Sequence, residues 1–361
     1  MVVNPFTPTF GKVPVVLAGR DRLLSEMQSA FVSGPGDPNL SSLLVGARGT
    51  GKTALLTRIR DIACECGWVA VGTSAIPGML EDIIEQAVMA GNHLVDPAPK
   101  RRLTSVTAGP FSASWDYTDA STGNWRTRMG ALLDQLAEHD AGLLITVDEV
   151  RSSVEELVTL TSVYQHFVSE DRRVALAMAG LPYHVDQLVS NDAVSFLRRS
   201  KQHDLARIAD ADVRSALVRT VETSGGDIDD VALDACIPAI KGFPYMLQLV
   251  GYRAWIESGE DHRIAAAHAA RAIWGAQEDM ERDIIGATVR ELSDGDMRFL
   301  RAMLEDEKVS RVGELAKRMG VSSGYASKDK SRLLVQGAID EVGRGRVAFA
   351  IPGLREYLLR R

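Results

Sequence analysis

Gly46-Ala47-Arg48-Gly49-Thr50-Gly51-Lys52-Thr53 stands directly behind the apolar run Leu43-Leu44-Val45 and ahead of Ala54-Leu55-Leu56, which continues in helical register. A strand, a glycine-rich turn and a helix start in that order make a phosphate-binding loop. Gly46, Gly49 and Gly51 let the backbone curl until successive N–H groups, that of Thr50 among them, point inward at a β-phosphate. The helix beginning near Lys52 adds the positive end of its dipole. Lys52 is placed to reach the β- and γ-phosphates, and the Thr53 hydroxyl to ligate Mg²⁺. The implied ligands are ATP and Mg²⁺.

A second stretch, Leu143-Leu144-Ile145-Thr146-Val147-Asp148-Glu149, is mostly apolar without strict alternation, as a central parallel strand covered on both faces requires. It ends in two acids. Asp148 is positioned to hold Mg²⁺ through water, and Glu149 to orient or deprotonate an attacking water. Two solvated acids at a strand end are common in isolation; the loop at 46–53 gives this pair its meaning. The picture is a cradle of main-chain amides facing two acids on the neighbouring strand.

The 361 residues allow two or three domains, and 45% hydrophobic content is ample for packed cores. A formal charge of −7 argues against a uniformly basic nucleic-acid coat. Residues 290–361, however, hold 15 Lys and Arg against 11 Asp and Glu, a net of +4 that leaves −11 for residues 1–289. That sign favours a polyanion-facing C-terminal piece. Cys64, Cys66 and Cys236 are too few and wrongly spaced for a disulfide scaffold or a zinc site, which fits a reducing compartment. With no basic-then-apolar leader and no run of eighteen apolar residues, the expectation is a soluble, cytoplasmic protein without a membrane partner.

Along the chain, Met1 to Leu17 reads as an irregular lead-in. Gly19-Arg20-Asp21-Arg22 then precedes a helix-like stretch, where Arg20 either approaches the adenine pocket or a neighbouring subunit, or belongs to a capped surface helix. Helix to about Cys66, strand at 68–73 and helix at 78–94 follow. Residues 95–124, rich in Pro, Ser, Thr and Gly and containing Lys100-Arg101-Arg102, read as an exposed insertion or mobile loop. Helix at 125–138, helix at about 154–168 and strand at 173–180 complete an alternating pattern. That order belongs to a parallel sheet with helices on both faces, and it brings the motifs to the carboxyl edge. Arg198-Arg199 precedes a short last strand expected at 204–208. One of the two could act as a finger toward ATP on another subunit, or both could solvate a helix end. Beyond Ala211 the pattern is helical, interrupted by Gly242-Phe243-Pro244, and these helices would form a lid over the base.

Helices are expected at 293–305, 312–319 and 322–337, with Gly320-Val321-Ser322-Ser323 making a short turn into a Ser-capped helix. This is helix-turn-helix spacing. Ile339–Val342 and Val347–Ile351, joined by Gly343-Arg344-Gly345-Arg346, read as a β-hairpin with a basic tip, and together they describe a winged helix. Lys328, Lys330, Arg332, Arg344 and Arg346 could contact the phosphates of double-stranded DNA, and Ser323 or Tyr325 could approach base edges. Winged helices also dock proteins or inhibit their own chain.

These motifs taken together resemble AAA+ ATPases of the origin-recognition and signal-transducing NTPase branches, over about residues 18–360. The resemblance implies an α/β fold: a P-loop NTPase core at 1–210, an α-helical lid at 211–289 and a winged helix at 290–361. It places Gly19-Arg20 in the N-terminal nucleotide-pocket motif and matches Gly242-Phe243-Pro244 to the lid's Gly-x-Pro element, with Pro244 at the nucleotide. Two departures stand out. Ala179-Gly180 occupies a place where many relatives carry a polar γ-phosphate sensor, and the lid element brings no arginine. Slow hydrolysis and a nucleotide-controlled switch are therefore expected. The first function is an ATP-dependent DNA-binding protein, with Lys52, Asp148, Glu149 and Arg198 or Arg199 as the catalytic set. The alternative is a regulatory ATPase whose winged helix contacts its own core or a partner protein; a homo-oligomer suits either.

Overall fold

The computed structural model describes residues 3–9, 11–91, 102–106, 113–116, 124–151 and 153–360. Helix α1 (Asp21–Ser33) leads to strand β1 (Ser41–Val45), which feeds through the glycine-rich turn into α2 (Lys52–Glu65). Strand β2 (Val69–Ser74), α3 (Met79–Ala90), an antiparallel pair β3 (Arg102–Val106) and β4 (Ala113–Asp116), and α4 (Trp125–Ala137) follow. Then come β5 (Leu143–Asp148), α5 (Glu155–Ser169), β6 (Val174–Gly180), α6 (Pro182–Val189) and β7 (Lys201–Asp204). The expected loop at 95–124 thus contains two strands, and Asn124 at its end caps α4; its other residues, Lys100 and Arg101 included, lie outside the described residues.

The five core strands are parallel in the order β2-β5-β6-β1-β7. Strands β5 and β6 are buried along nearly their whole length, which is why their sequences are near-continuous apolar runs. Alternate side chains feed two cores. Leu43, Val45, Ile145 and Met178 pack with Ile83, Leu132 and Leu160, while Leu44, Ala175 and Ala177 pack with Met27, Phe31, Leu55 and Ile59. Each fully buried residue of this size contributes roughly 1.5–3 kcal/mol.

The chain runs from β1 out to β2, returns through β5 and β6, and crosses to β7 on the far side of β1. This makes β1 the switch point, where open α/β sheets leave a crevice. Two expectations are corrected. Strand β5 is not the neighbour of β1, because β6 lies between them, so the acids face the loop across one intervening strand. The last strand is 201–204 rather than 204–208. It is an edge strand of exposed, polar residues, and its pairing is fixed by backbone bonds to β1 rather than by apolar pattern.

After the sheet come α7 (Asp210–Thr223), β8 (Asp227–Ile228), α8 (Asp230–Ile240), α9 (Pro244–Glu257), β9 (Arg263–Ile264) and α10 (Ala266–Met280). A π-helical turn (Glu281–Ile285) joins α10 to α11 (Gly286–Arg290). Pro244 takes the first position of α9, as expected. The lead-in is irregular but anchored: Phe6 is buried in this helical core, and the Thr7 N–H donates to Gln248 Oε1 at 2.9 Å.

The chain closes with α12 (Asp294–Met303), β10 (Ser310–Arg311), α13 (Val312–Met319), α14 (Ser323–Val335), β11 (Ile339–Gly343), β12 (Arg346–Phe349) and α15 (Leu354–Leu359). Ser293 caps α12 in a capping box with Asp296, and Ser322 caps α14 through the Tyr325 N–H. Strands order as β10-β12-β11, antiparallel; the two-residue β10 has too short a signal to read in sequence. One apolar core joins Val250, Met280 and Ile285 to Phe299, Leu333 and Leu354, so the lid helices and the C-terminal helices share an interior. No helix among the described residues is long and apolar enough to cross a membrane.

Candidate functional site

The glycine-rich turn folds tightly on itself and on the lid. A Cβ at Gly46 would sit 2.7 Å from Thr50 Oγ1, whose hydroxyl donates to Ala47 O at 2.8 Å. Gly49 has φ +77°, and a Cβ there would stand 2.5 Å from the Phe243 ring. The loop therefore needs glycine at 49 for backbone conformation and for lid contact alike. The lid is stitched to the sheet by Tyr245 N–H donating to Gly49 O at 3.3 Å and Ile208 N–H donating to Gly242 O at 2.8 Å.

Lys52 donates through Nζ to Gly46 O and Ala47 O, both at 2.8 Å, which folds it along the loop. Burial brings its ammonium down from 10.5 to about 8, while Asp148 and Glu149 pull the other way. Thr53 Oγ1 donates to Asp148 Oδ2 at 2.5 Å, and Asp148 Oδ1 accepts from Glu149 N–H at 2.8 Å. One hydroxyl and one carboxylate thus converge from opposite sides of the crevice. These hard oxygens suit Mg²⁺, which takes its remaining ligands from phosphate and water. Among the described residues no cluster of three or more His, Cys, Asp or Glu could hold a metal ion. Glu149 has φ +53°, a left-handed backbone that a glutamate adopts at a cost, and its exposed carboxylate faces Arg151 at 3.7 Å.

These groups open into a cavity of about 500 Å³. Its inner wall is apolar, from Val16, Leu17, Ile208, Leu247 and Ile284, as a nucleobase pocket requires. Pro244 lines it, and so does Arg20. Arg20 Nη2 donates to Ala206 O at 3.0 Å, which ties it to its own chain. Arg198 and Arg199 do not line the cavity. Both are exposed, and Arg198 Nε donates to Val189 O at 3.0 Å.

In the C-terminal helices, Ser323, Tyr325, Lys328, Arg344 and Arg346 are exposed. Lys330 and Arg332 differ from the expectation of free cations. Lys330 is paired with Glu341 at 2.8 Å, and Arg332 contacts Asp296 at 3.0 Å and the fully buried Asp329. Their carboxylate partners lie on other elements or on the buried face of α14, so counting charges along the helix overestimated its free positive face. Arg311 joins the exposed group instead, opposite Arg346 in the β10–β12 register.

The C-terminal part touches its own core beside the glycine-rich turn, through residues that sequence reading did not name. His184 on α6 pairs through Nε2 with Val335 O at 3.2 Å, and a Cβ at Gly337 would meet Leu181 at 3.0 Å and Arg48 at 3.8 Å. Asp340 on β11 lies within electrostatic reach of Lys52; burial pushes its carboxyl up and Lys52 opposes that. No local pattern announces such a contact, since it depends on how α14 and β11 pack against α6.

A family model described as a domain of unknown function (DUF8462) matches residues 282–358. No curated protein matches the sequence. Among solved structures, the chain is similar to a Walker-type ATPase of Pyrococcus abyssi, with TM-score 0.67, 13% identity and 95% of this chain and 96% of that chain covered. It is also similar to the ORC2 protein of Aeropyrum pernix in its ADP form, with TM-score 0.55, 14% identity and coverage of 98% and 96%. For Cdc6p of Pyrobaculum aerophilum the TM-score is 0.51 at 14% identity, with coverage of 100% and 99%. The likeness at such identities is one of fold, and it agrees with the α/β P-loop class read from the two motifs.

Proposed function

We propose that this chain is an ATP-binding AAA+ switch that hydrolyses ATP slowly and grips duplex DNA through a C-terminal winged helix. The observation that carries the reading is the meeting of Thr53 and Asp148 beside the glycine-rich turn, in a cavity that Pro244 also lines. Main-chain N–H groups of the turn bind phosphate, and Lys52 turns from its loop carbonyls to the β- and γ-phosphates. Bound Mg²⁺ would be held by Thr53 and Asp148 and would neutralise charge developing on the phosphates. Glu149 orients and deprotonates water, with Arg151 as its counter-ion. The absence of a polar side chain at Ala179-Gly180 favours slow turnover. Arg198 and Arg199, exposed and away from their own cavity, are available to a neighbouring copy.

The same reading divides the chain into a nucleotide-binding part at 1–210, a lid at 211–289 and the winged helix at 290–361. Lys328 on α14 and Arg344 and Arg346 on the hairpin supply the cations for DNA phosphates, with Ser323 and Tyr325 nearest the bases. The alternative, a regulatory ATPase whose winged helix acts on its own core, gains support from one observation: His184, Leu181 and Arg48 hold the C-terminal part against the phosphate end of the site.

Calorimetry with Mg²⁺ and ATP tests the nucleotide claim. Binding is expected in the unaltered chain and a large loss in Lys52→Ala. Glu149→Gln should keep binding and reduce hydrolysis at least 100-fold, on the order of 3 kcal/mol. Equal turnover in Glu149→Gln removes the role assigned to that carboxylate, and no ATP uptake at all removes the function.

A further inference from the structure

Thr53, Thr57 and Arg60 recur at i, i+4 and i+7 and so form one stripe of α2. Arg60 Nη2 donates to Thr57 Oγ1 at 3.0 Å, and Thr57 Oγ1 donates to Thr53 O at 3.0 Å. Through Nη1, Arg60 also donates at 2.7 Å to Oγ1 of Thr146, a residue only 1% exposed, which in turn donates to Val71 O at 3.0 Å. Thr146 and Asp148 are two residues apart on β5 and share a face of the sheet. The path from Asp148 through Thr53, Thr57 and Arg60 therefore closes back on the strand that carries Asp148.

Gly72 fits the same arrangement. It lies opposite Thr146 in the β2–β5 register, and a Cβ there would stand 2.4 Å from Arg60 Nη1 and 3.0 Å from Thr146 Oγ1. Glycine weakens a strand interior, and here it makes room for the guanidinium. Cys64 at the far end of α2 bonds the backbone at Ala70 on β2, and the contacts from Leu55, Ile59 and Ile62 are apolar and non-directional. They hold the helix down without fixing its slide along the strands, whereas a fork bonded to two hydroxyls fixes both.

We infer that Arg60 is a positioning residue for the divalent cation: it sets the Thr53 hydroxyl against the Asp148 carboxylate by tying α2 to β5. The inference rests on the Mg²⁺-nucleotide reading above.

The test measures binding of a fluorescent ATP analogue across a Mg²⁺ titration and again in EDTA, for the unaltered chain and for Arg60→Met, Arg60→Lys and Gly72→Ala. Metal-free affinity should stay within about twofold in all three. The Mg²⁺ concentration needed for half-saturation should rise about tenfold, the lower end of what supporting partners of metal ligands provide. Lysine should not rescue, because one ammonium cannot reproduce the fork between two hydroxyls. Restoration by lysine would make charge alone the cause and overturn the inference. So would a parallel loss of metal-free binding, which marks Arg60 as a fold brace only. Should Arg60→Met fail to fold, Arg60→Lys and Gly72→Ala decide. An unaltered chain that binds no nucleotide in either condition sinks the nucleotide reading itself, a result separable from failure of the variants.

Discussion

Nucleotide binding should take up a proton at mildly alkaline pH, and Lys52 is the reason. Burial holds its ammonium near 8 rather than 10.5 in the unliganded chain, a difference worth roughly 3 kcal/mol. Triphosphate oxygens would add to the counter-charge that Asp148 and Glu149 already provide, so the bound state favours the protonated form. At pH 8.5 an ammonium titrating at about 8 is roughly one quarter protonated, and binding should therefore take up ~0.75 proton. Between pH 7.5 and 9.5 affinity should fall about 25-fold, with log K approaching a slope of −1. Phosphate's own second ionisation, near 6, is complete before that window opens. Folding stability of the unliganded chain moves the opposite way. From about 8 to 10.5 the unfolded chain retains a proton that the folded chain has lost, so stability rises with pH. The assay is calorimetry at pH 8.5 in buffers of different ionisation enthalpy, with Lys52→Met as the control expected to show no uptake. Uptake that persists in Lys52→Met, or a flat affinity profile in the unaltered chain, would refute the reasoning.

Asp340→Asn should tighten ATP several-fold more than ADP, on the order of 1 kcal/mol, because a carboxylate beside Lys52 no longer opposes the γ-phosphate; an unchanged ATP-to-ADP ratio in competition binding counts against it. Gly49→Ala should lower stability by roughly 2–5 kcal/mol, combining a left-handed alanine with the collision against Phe243. Adding Phe243→Ala should remove the collision but not the backbone part, and a melting curve like that of the unaltered chain would exclude both. Lys328→Glu with Arg344→Glu should weaken duplex DNA binding across sequences and reduce the salt slope by about 2, while Lys330→Ala, already paired with Glu341, should change little. A gel shift at several salt concentrations decides, and binding unaffected by the double change would remove the proposed DNA face.

The strand, glycine turn and helix start were legible because their geometry is local, lying within 14 consecutive residues, 43–56. The apolar strands β5 and β6 and the Pro244 helix start were legible for the same reason. Strand β7 was misplaced by a few residues, since an edge strand with polar side chains carries no burial pattern. The interposition of β6 is a matter of topology, which adjacency of motifs in sequence does not reveal. The ion pairs of Lys330 and Arg332 with Glu341, Asp296 and Asp329 were not legible, because only packing brings those carboxylates near. Asp340 and His184 escaped for a related reason, since each meets a residue distant in sequence, and the Thr53, Thr57 and Arg60 spacing on α2 gains its meaning only from Thr146, 86 residues on.

The unbroken apolar interior shared by the lid helices and the C-terminal helices has a mechanical consequence. Two bodies joined by a common interior move together, and they meet the sheet part at two places: around Ile208, Gly242 and the Phe243 ring seated on Gly49, and where Val335 and Gly337 lie against His184 and Leu181, so a shift at one place is carried to the other.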